Sequence, residues 1–191
     1  MLTCLPSLRS GHEIAEHTVR HNDLHLMSDA QKKAEIVGAR DWLVKTCKIP
    51  AADVVGHRSP YLSDDAGVRT ILSTAGFLYD SSIQEVFNSP TSPSATKRCW
   101  PYKLSAGVKQ IYSCNWFDNG NHCSASERYP NLYEIPMNYP MRSSDNPSSP
   151  DCMDVPNPYA IYKAELDRNM KGNKAPVGIF VHTSTGYLTQ S

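Results

Sequence analysis

Two histidines four residues apart are the first candidates for chemistry in this chain. His17 and His21 fall in the segment GHEIAEHTVRH, and on one helical turn both imidazoles would project from the same face. Imidazole nitrogens are good ligands for zinc and similar ions. The spacing therefore predicts a metal site, with a surface helix that carries two solvated histidines as the structural alternative.

Three further polar segments each follow an apolar stretch that predicts a strand. They are HRSPY with Arg58, LYDSS with Asp80, and APVGIFVHTS with His182. Side chains that follow parallel strands collect at one face of the fold, as they do at the active-site face of a β/α barrel. The order of these segments therefore predicts that they share one site with the two histidines.

These segments resemble the motifs of the polysaccharide deacetylases of carbohydrate esterase family four, the NodB homology domain, and most closely their chitin deacetylase-like branch. HTVRH matches the family's H-[ST]-x-x-H motif, and RSPY matches R-x-P-[YF]. Asp80 and Ser81 match the start of a motif that usually continues to a Trp, which is missing here. Phe180 and His182 match the last motif. The resemblance extends over residues 11–188.

The resemblance implies a metal-dependent hydrolase that removes N-acetyl groups from chitin or a related N-acetylglucosamine polymer. His17 and His21 would bind the divalent ion, zinc or alternatively cobalt. Such an ion lowers the pKa of a bound water to about 7 and so supplies the attacking hydroxide. The third ligand would come from an aspartate in the family's opening motif.

Three residues would act in proton transfer according to the same resemblance. Arg58 would orient the catalytic base, and a surface arginine paired with some carboxylate is the alternative. His182 would be the general acid, although a lone histidine on an apolar strand can also be a core residue. Asp80 would tune the pKa of His182 through its charge, or it would cap a turn at Ser82.

Three other residues would contact the substrate. Pro60 would fix the backbone so that the amide of Tyr61 donates to the oxyanion. The Tyr61 ring could also line the groove, and the two roles are compatible. Phe180 would line the acetyl pocket.

The family's opening motif, T-F-D-D-[GA], is absent from the sequence. No aspartate precedes Asp23, and the acidic residues ahead of His17 are Glu13 and Glu16. Because that motif supplies the base and a metal ligand, we expect this chain to have little activity as written. Two explanations stay open, a catalytically inactive glycan-binding pseudoenzyme and a domain truncated at its N-terminus and its C-terminus.

The element order predicts a single α/β domain over residues 1–191. Ser28 followed by Gln31 is a capping box that starts a helix. A second helix would start near Ser63 and end at Gly76, and Pro158 would begin a third. Alternating strands and helices indicate a mostly parallel sheet. The resemblance narrows this to a distorted, incomplete (β/α) barrel without its first strand. Strands are expected near residues 11–15, 54–55, 77–80, 132–137 and 179–182.

The bulk composition limits the partners. The chain has 19 basic and 19 acidic side chains, so no charge surplus favours nucleic acid or an acidic membrane. No apolar run reaches the about 18 residues of a membrane span. A neutral N-acetylated polysaccharide needs no electrostatic attraction, and we expect a monomer.

Six cysteines in 191 residues indicate an extracellular, secreted protein whose export signal lies outside this sequence. Cys99, Cys114, Cys123 and Cys152 fall in the loop-rich third, where at least one disulfide is expected. Three pairings among these four are possible. Cys47 lies on an apolar helical face and is expected to be a buried thiol.

Overall fold

The computed structural model describes residues 10–85, 99–108, 123–138 and 158–180. The helices of these ranges are α1, Asp29–Cys47, α2, Ala66–Thr74, and α3, Pro158–Lys171. Short 3₁₀ turns cover Leu24–Leu26, Ala51–Asp53 and Pro60–Leu62.

The strands of the described residues are each two residues long. In chain order they are β1, Gly56–His57, β2, Tyr79–Asp80, β3, Gln84–Glu85, β4, Tyr102–Lys103, β5, Tyr133–Glu134, and β6, Met137–Asn138. The predicted strand at residues 11–15 is absent. The next residue, Glu16, forms a single β-bridge to His57.

A four-stranded sheet has the order β1-β2-β5-β4. The first three strands are parallel, and β4 runs antiparallel to β5. In register, His57 lies opposite Asp80, and Asp80 lies opposite Glu134. The α/β prediction is therefore confirmed, and closure into a barrel stays a prediction.

Helix α1 begins where the sequence predicts. Ser28 is its N-cap and accepts a hydrogen bond from the Gln31 amide, while the Gln31 side chain accepts one from the Ser28 amide at 2.9 Å. These two bonds satisfy donors that a helix start leaves without partners. The helix buries Ile36 and Ala39 and ends at Lys48, whose φ of 58° is left-handed.

Helix α2 starts slightly later than the sequence suggests. Its N-cap is Asp65, which accepts a hydrogen bond from the Val68 amide, and not Ser63. Gly76 follows the helix with a φ of 78°, as expected for a left-handed stop. The main core cluster forms where this helix packs with α1 and the sheet, and it contains Leu24, Ile36, Val68, Ile71, Leu72, Phe77, Ile83, Leu104, Val108, Tyr129 and Leu132.

The chain divides into two compact units. The first is residues 1–83 with 101–135, and the second is residues 84–100 with 136–191. Within the second unit, β3 and β6 pair in parallel. The Tyr162 hydroxyl there donates to the Phe180 carbonyl at 2.8 Å and accepts from the Phe180 amide at 3.0 Å. Ile179 and Phe180 are not in a strand, contrary to the prediction.

The assignment of Cys47 changes. Cys47 is disulfide-bonded and not a buried thiol, and Cys123 is disulfide-bonded as well. Cys99 is a half-buried thiol. Cys114 and Cys152 lie outside the described residues, so the pairing among the four loop cysteines stays a prediction.

None of the helices in the described ranges has the length and apolar character needed to cross a membrane.

Candidate active site

The two histidines lie on a loop, residues 17–21, that we call the histidine loop. The predicted helical turn is wrong, because none of these residues is helical and both Thr18 and His21 have left-handed backbones, with φ of 65° and 58°. The ring centroids of His17 and His21 are nevertheless 4.9 Å apart, in an edge-to-face arrangement. The loop therefore brings the imidazoles together by a different backbone path.

A buried glutamate of α1 fixes the middle of the histidine loop. Glu35 accepts hydrogen bonds from the amides of Val19 and Arg20, at 3.0 and 2.8 Å, and from the Arg20 guanidinium at 3.2 Å. A charge-assisted bond to consecutive amides is stronger than a neutral one. The His21 amide donates to the Thr18 hydroxyl at 3.2 Å. The loop backbone is thus hydrogen-bonded along its length.

The imidazole of His17 is oriented by a backbone carbonyl. Its Nδ1 lies 2.7 Å from the Arg58 carbonyl oxygen. A carbonyl oxygen can only accept, so Nδ1 carries the hydrogen and Nε2 keeps a lone pair. Burial lowers the pKa of His17, and the neighbouring His21 adds to this effect. A neutral imidazole whose other nitrogen donates to a carbonyl is the arrangement found at metal-binding histidines.

Tyr61 lies beside the second histidine. Its ring centroid is 4.9 Å from that of His21, and the residue is 60% exposed. Pro60 is buried and begins the 3₁₀ turn, in which Tyr61 has a φ of 56°. The structure thus places the partly exposed Tyr61 ring next to His21, and its contact with substrate stays a prediction.

The Arg58 side chain is half-buried and bonded to Ser81, and its role in orienting a catalytic base stays a prediction. Its guanidinium donates to the carbonyl and hydroxyl oxygens of Ser81, at 2.8 and 2.6 Å. Burial lowers the pKa of Arg58, while Asp80 and Glu134 oppose this shift. The contact with Ser81 joins the R-x-P-Y segment to the segment that follows β2.

Asp80 is fully buried at the end of β2. Its Oδ1 accepts a 2.5 Å hydrogen bond from the Ser82 hydroxyl, and that hydroxyl accepts one from the Ser59 amide at 2.9 Å. Its Oδ2 has no hydrogen-bond partner among the described residues. This contact matches the alternative in which Asp80 caps a turn at Ser82. An effect of Asp80 on the pKa of His182 stays a prediction.

Sequence reasoning missed the pairing of Glu16 with His57. Both side chains are fully buried, and Glu16 Oε1 accepts from His57 Nδ1. Burial opposes protonation of the imidazole, but the Glu16 carboxyl group, followed by Asp80, outweighs it and raises the pKa of His57. On the expected helical turn, Glu16 would point away from the site. The observed backbone is extended instead and places the Glu16 side chain in the interior.

Glu134 is a second buried carboxyl group that the sequence did not single out. It lies at the end of β5, and its Oε1 accepts a 3.0 Å hydrogen bond from the Ile83 amide. Burial raises the pKa of Glu134 well above its ordinary value, and the charges of Asp80 and Asp64 raise it further. The sequence signal for a buried carboxyl group here was an acidic residue inside an apolar strand, in the segment LYEIP.

The roles of two predicted site residues, His182 and Phe180, stay predictions. His182 lies outside the described residues, and Phe180 belongs to the second unit. In the described ranges, no group of three or more His, Cys, Asp or Glu side chains is arranged to hold a metal ion. The structure therefore assembles His17, His21 and Tyr61, with the Arg58 carbonyl behind them.

Comparison with known proteins relates this chain to one family. A family profile described as Polysaccharide deacetylase matches residues 6–79, a range that contains both histidines and Tyr61. Chitin deacetylase 1 of Bombyx mori is 30% identical over 92% of this chain. The chain therefore contains a polysaccharide deacetylase segment at residues 6–79. It spans 33% of the length of that Bombyx mori protein.

A solved structure agrees with this family at the level of the fold. A Mycobacterium smegmatis protein assigned to the polysaccharide deacetylases superposes with a TM-score of 0.52 at 18% identity. The superposition covers 93% of this chain and 51% of that protein. At such identity the likeness concerns the arrangement of helices and strands alone.

Proposed function

We propose that this chain carries the metal-binding part of a deacetylase that removes N-acetyl groups from chitin or a related N-acetylglucosamine polymer. The observation that carries the proposal is the hydrogen bond from His17 Nδ1 to the Arg58 carbonyl, beside the His21 ring. It leaves Nε2 of His17 as a lone-pair donor next to a second imidazole. The 30% identity to a chitin deacetylase supports the choice of polymer.

The residues present fit a divalent ion, most readily zinc and alternatively cobalt. His17 and His21 would bind it, and the lowered pKa of His17 keeps that ligand neutral. When bound, the ion would supply an activated water near neutral pH. Two imidazoles leave room for another protein ligand, which the family draws from its aspartate motif.

The chain's own residues would do the remaining work. The Tyr61 ring, exposed beside His21, would lie against a sugar ring, and the Tyr61 amide would donate to the oxyanion of the reacting acetyl group. Arg58 would keep the Pro60–Tyr61 backbone in place through its bonds to Ser81. We assign the general acid to His182 and the acetyl pocket to Phe180 on the family resemblance.

The setting of the domain is part of the same proposal. A disulfide at Cys123 favours a secreted protein that acts outside the cell, because disulfides persist in oxidising compartments. The domain would be an incomplete barrel and a monomer.

Metal binding tests the site directly. Zinc titration of the metal-free chain by calorimetry should show one site, and both His17→Ala and His21→Ala should abolish it. His12→Ala is the matched control, because His12 is an exposed histidine outside the loop, and it should bind zinc as the wild type does. Equal zinc affinity in all four proteins would refute the metal assignment.

Acetate release from chito-oligosaccharides tests the activity. We expect little release from the 191-residue chain with zinc or cobalt, and strong release after a strand bearing T-F-D-D is added upstream. Equal turnover with and without that strand would show that the aspartate motif is dispensable. Glycan binding by the extended chain without acetate release would favour the pseudoenzyme.

A further inference from the structure

The buried pair Glu16–His57 connects the two segments that form the candidate metal site. Glu16 directly precedes His17, and His57 directly precedes Arg58, whose carbonyl oxygen accepts from the His17 ring. Side chains of an extended backbone alternate between faces. Burial of Glu16 and His57 therefore directs the exposed His17 and the half-buried Arg58 to the opposite face.

The backbone link between these segments is short. It consists of a single parallel bridge, in which the Glu16 amide donates to the Gly56 carbonyl at 3.0 Å and the Arg58 amide donates to the Glu16 carbonyl at 3.2 Å. A bridge of two hydrogen bonds lacks the support of a longer strand ladder. The side-chain contact between Glu16 and His57 adds a third link at the same position.

The second oxygen of Glu16 extends this link into the histidine loop. Glu16 Oε2 accepts a 2.8 Å hydrogen bond from the Thr18 amide, the first amide after His17. On the other side, His57 Nε2 lies 3.0 Å from the Ser59 hydroxyl. One carboxyl group thus contacts both the loop that carries the imidazoles and the strand that carries the orienting carbonyl.

We propose that Glu16 and His57 are positioning residues that fix the rotation of the His17 ring, so that Nδ1 meets the Arg58 carbonyl and Nε2 faces the metal position. Burial of an ion pair is often no more stabilising than an apolar pair of similar volume. Glu16 directly precedes His17 and His57 directly precedes Arg58, and this placement fits a positioning role. The inference rests on the proposed function in one respect only, namely that the ligand of His17 Nε2 is a metal ion.

The test compares the His17 tautomer in the metal-free chain by ¹⁵N-resolved NMR at pH 8. Wild type should show His17 as a single Nδ1–H tautomer. Glu16→Leu combined with His57→Phe replaces the pair by apolar side chains, and His17 should then populate both tautomers. Zinc affinity of this double variant should fall about tenfold or more, as for other outer-shell partners of metal ligands.

Two variants separate positioning from a general loss of structure. Glu16→Gln can still accept from the Thr18 amide and donate to His57, so it should retain the single tautomer and a zinc affinity close to that of wild type. Lys32→Met removes a buried ion pair with Asp65, 2.6 Å long, that contacts neither the histidine loop nor Arg58. Lys32→Met should change neither the His17 tautomer nor the zinc affinity.

A folded double variant that keeps the single Nδ1–H tautomer and the wild-type zinc affinity would overturn the positioning role. If the double variant does not fold by circular dichroism, Glu16→Leu alone decides the question. It removes the contacts with His57 and with the Thr18 amide, and it leaves no buried carboxylate without a partner, because neutral His57 keeps the Ser59 hydroxyl. It should also mix the tautomers of His17. Failure of wild type to bind zinc would instead refute the proposed function, while the tautomer comparison would still test the positioning role.

Discussion

Asp80 and Glu134 are register partners on β2 and β5, and both carboxyl groups are fully buried. Each has one oxygen without a hydrogen-bond partner in the described ranges, Oδ2 of Asp80 and Oε2 of Glu134. Two buried carboxyl groups at adjacent strand positions disfavour simultaneous ionisation. The raised pKa of Glu134, caused by burial and then by Asp80, follows from this arrangement.

The first prediction is that Glu134 makes the domain less stable as the pH rises. A raised carboxyl pKa means that the folded state binds more protons than the unfolded state above about pH 4.3, the ordinary value for Glu, so the free energy of unfolding falls with pH. Glu134→Gln keeps an acceptor for the Ile83 amide and removes this titration. Its stability relative to wild type should increase from pH 4.5 to pH 8 in urea unfolding, and a pH-independent difference would contradict the assignment.

The second prediction concerns the buried Arg69. Its guanidinium bonds to Asp64, and it also donates to the two carboxylate oxygens of Glu127 at 2.8 and 3.1 Å. Arg69→Met leaves the buried Asp64 without this charge, which should cost about 3–5 kcal/mol of unfolding free energy. Lys163→Met is the control, because it breaks an exposed pair with Asp167 and should leave the denaturant midpoint unchanged. A similar small effect in both variants would show that Arg69 is dispensable.

The third prediction concerns the start of α1. Ser28→Ala removes the side-chain acceptor of the Gln31 amide and should cost about 1 kcal/mol. Because the two side chains act reciprocally, adding Gln31→Ala to this variant should cost less than Gln31→Ala alone costs in wild type. Thermal unfolding of the four proteins measures this coupling, and strictly additive losses would argue against a working capping box.

The fourth prediction is that at least one disulfide joins two of Cys99, Cys114, Cys123 and Cys152. Cys123 is disulfide-bonded, and a bond between long loops would restrict the unfolded chain. Thiol titration under denaturing, non-reducing conditions should find fewer than six thiols, and peptide mapping should identify the partner of Cys123. Six titratable thiols would refute the prediction.

Much of the local structure could be predicted because short signals determine it. The capping box at Ser28 and the glycine stop at Gly76 depend on residues a few positions apart, and both helix boundaries follow from them. The contact between His17 and His21 was also predicted, although through a helical turn that the chain does not form.

The buried interior of the site could not be predicted in the same way. The contact between Glu16 and His57 joins residues 41 positions apart, and it depends on which side chains of two extended segments point inward. A shift of one residue in that pairing would exchange the buried and accessible side chains. Sequence motifs identified His17, His21 and the buried Asp80, whereas the buried Glu16 and Glu134 required the register between segments.

The left-handed backbones near the site have a consequence for protein engineering. Thr18, His21, Tyr61 and Leu62 all have φ between 56° and 65°, a conformation that costs an L-residue roughly 1–2 kcal/mol and costs glycine almost nothing. A library selected for heat resistance alone should therefore enrich glycine at the exposed positions His21 and Tyr61. Such variants would unfold at higher temperature and lose the imidazole and phenol rings, so thermal selection and retention of the site would favour different sequences.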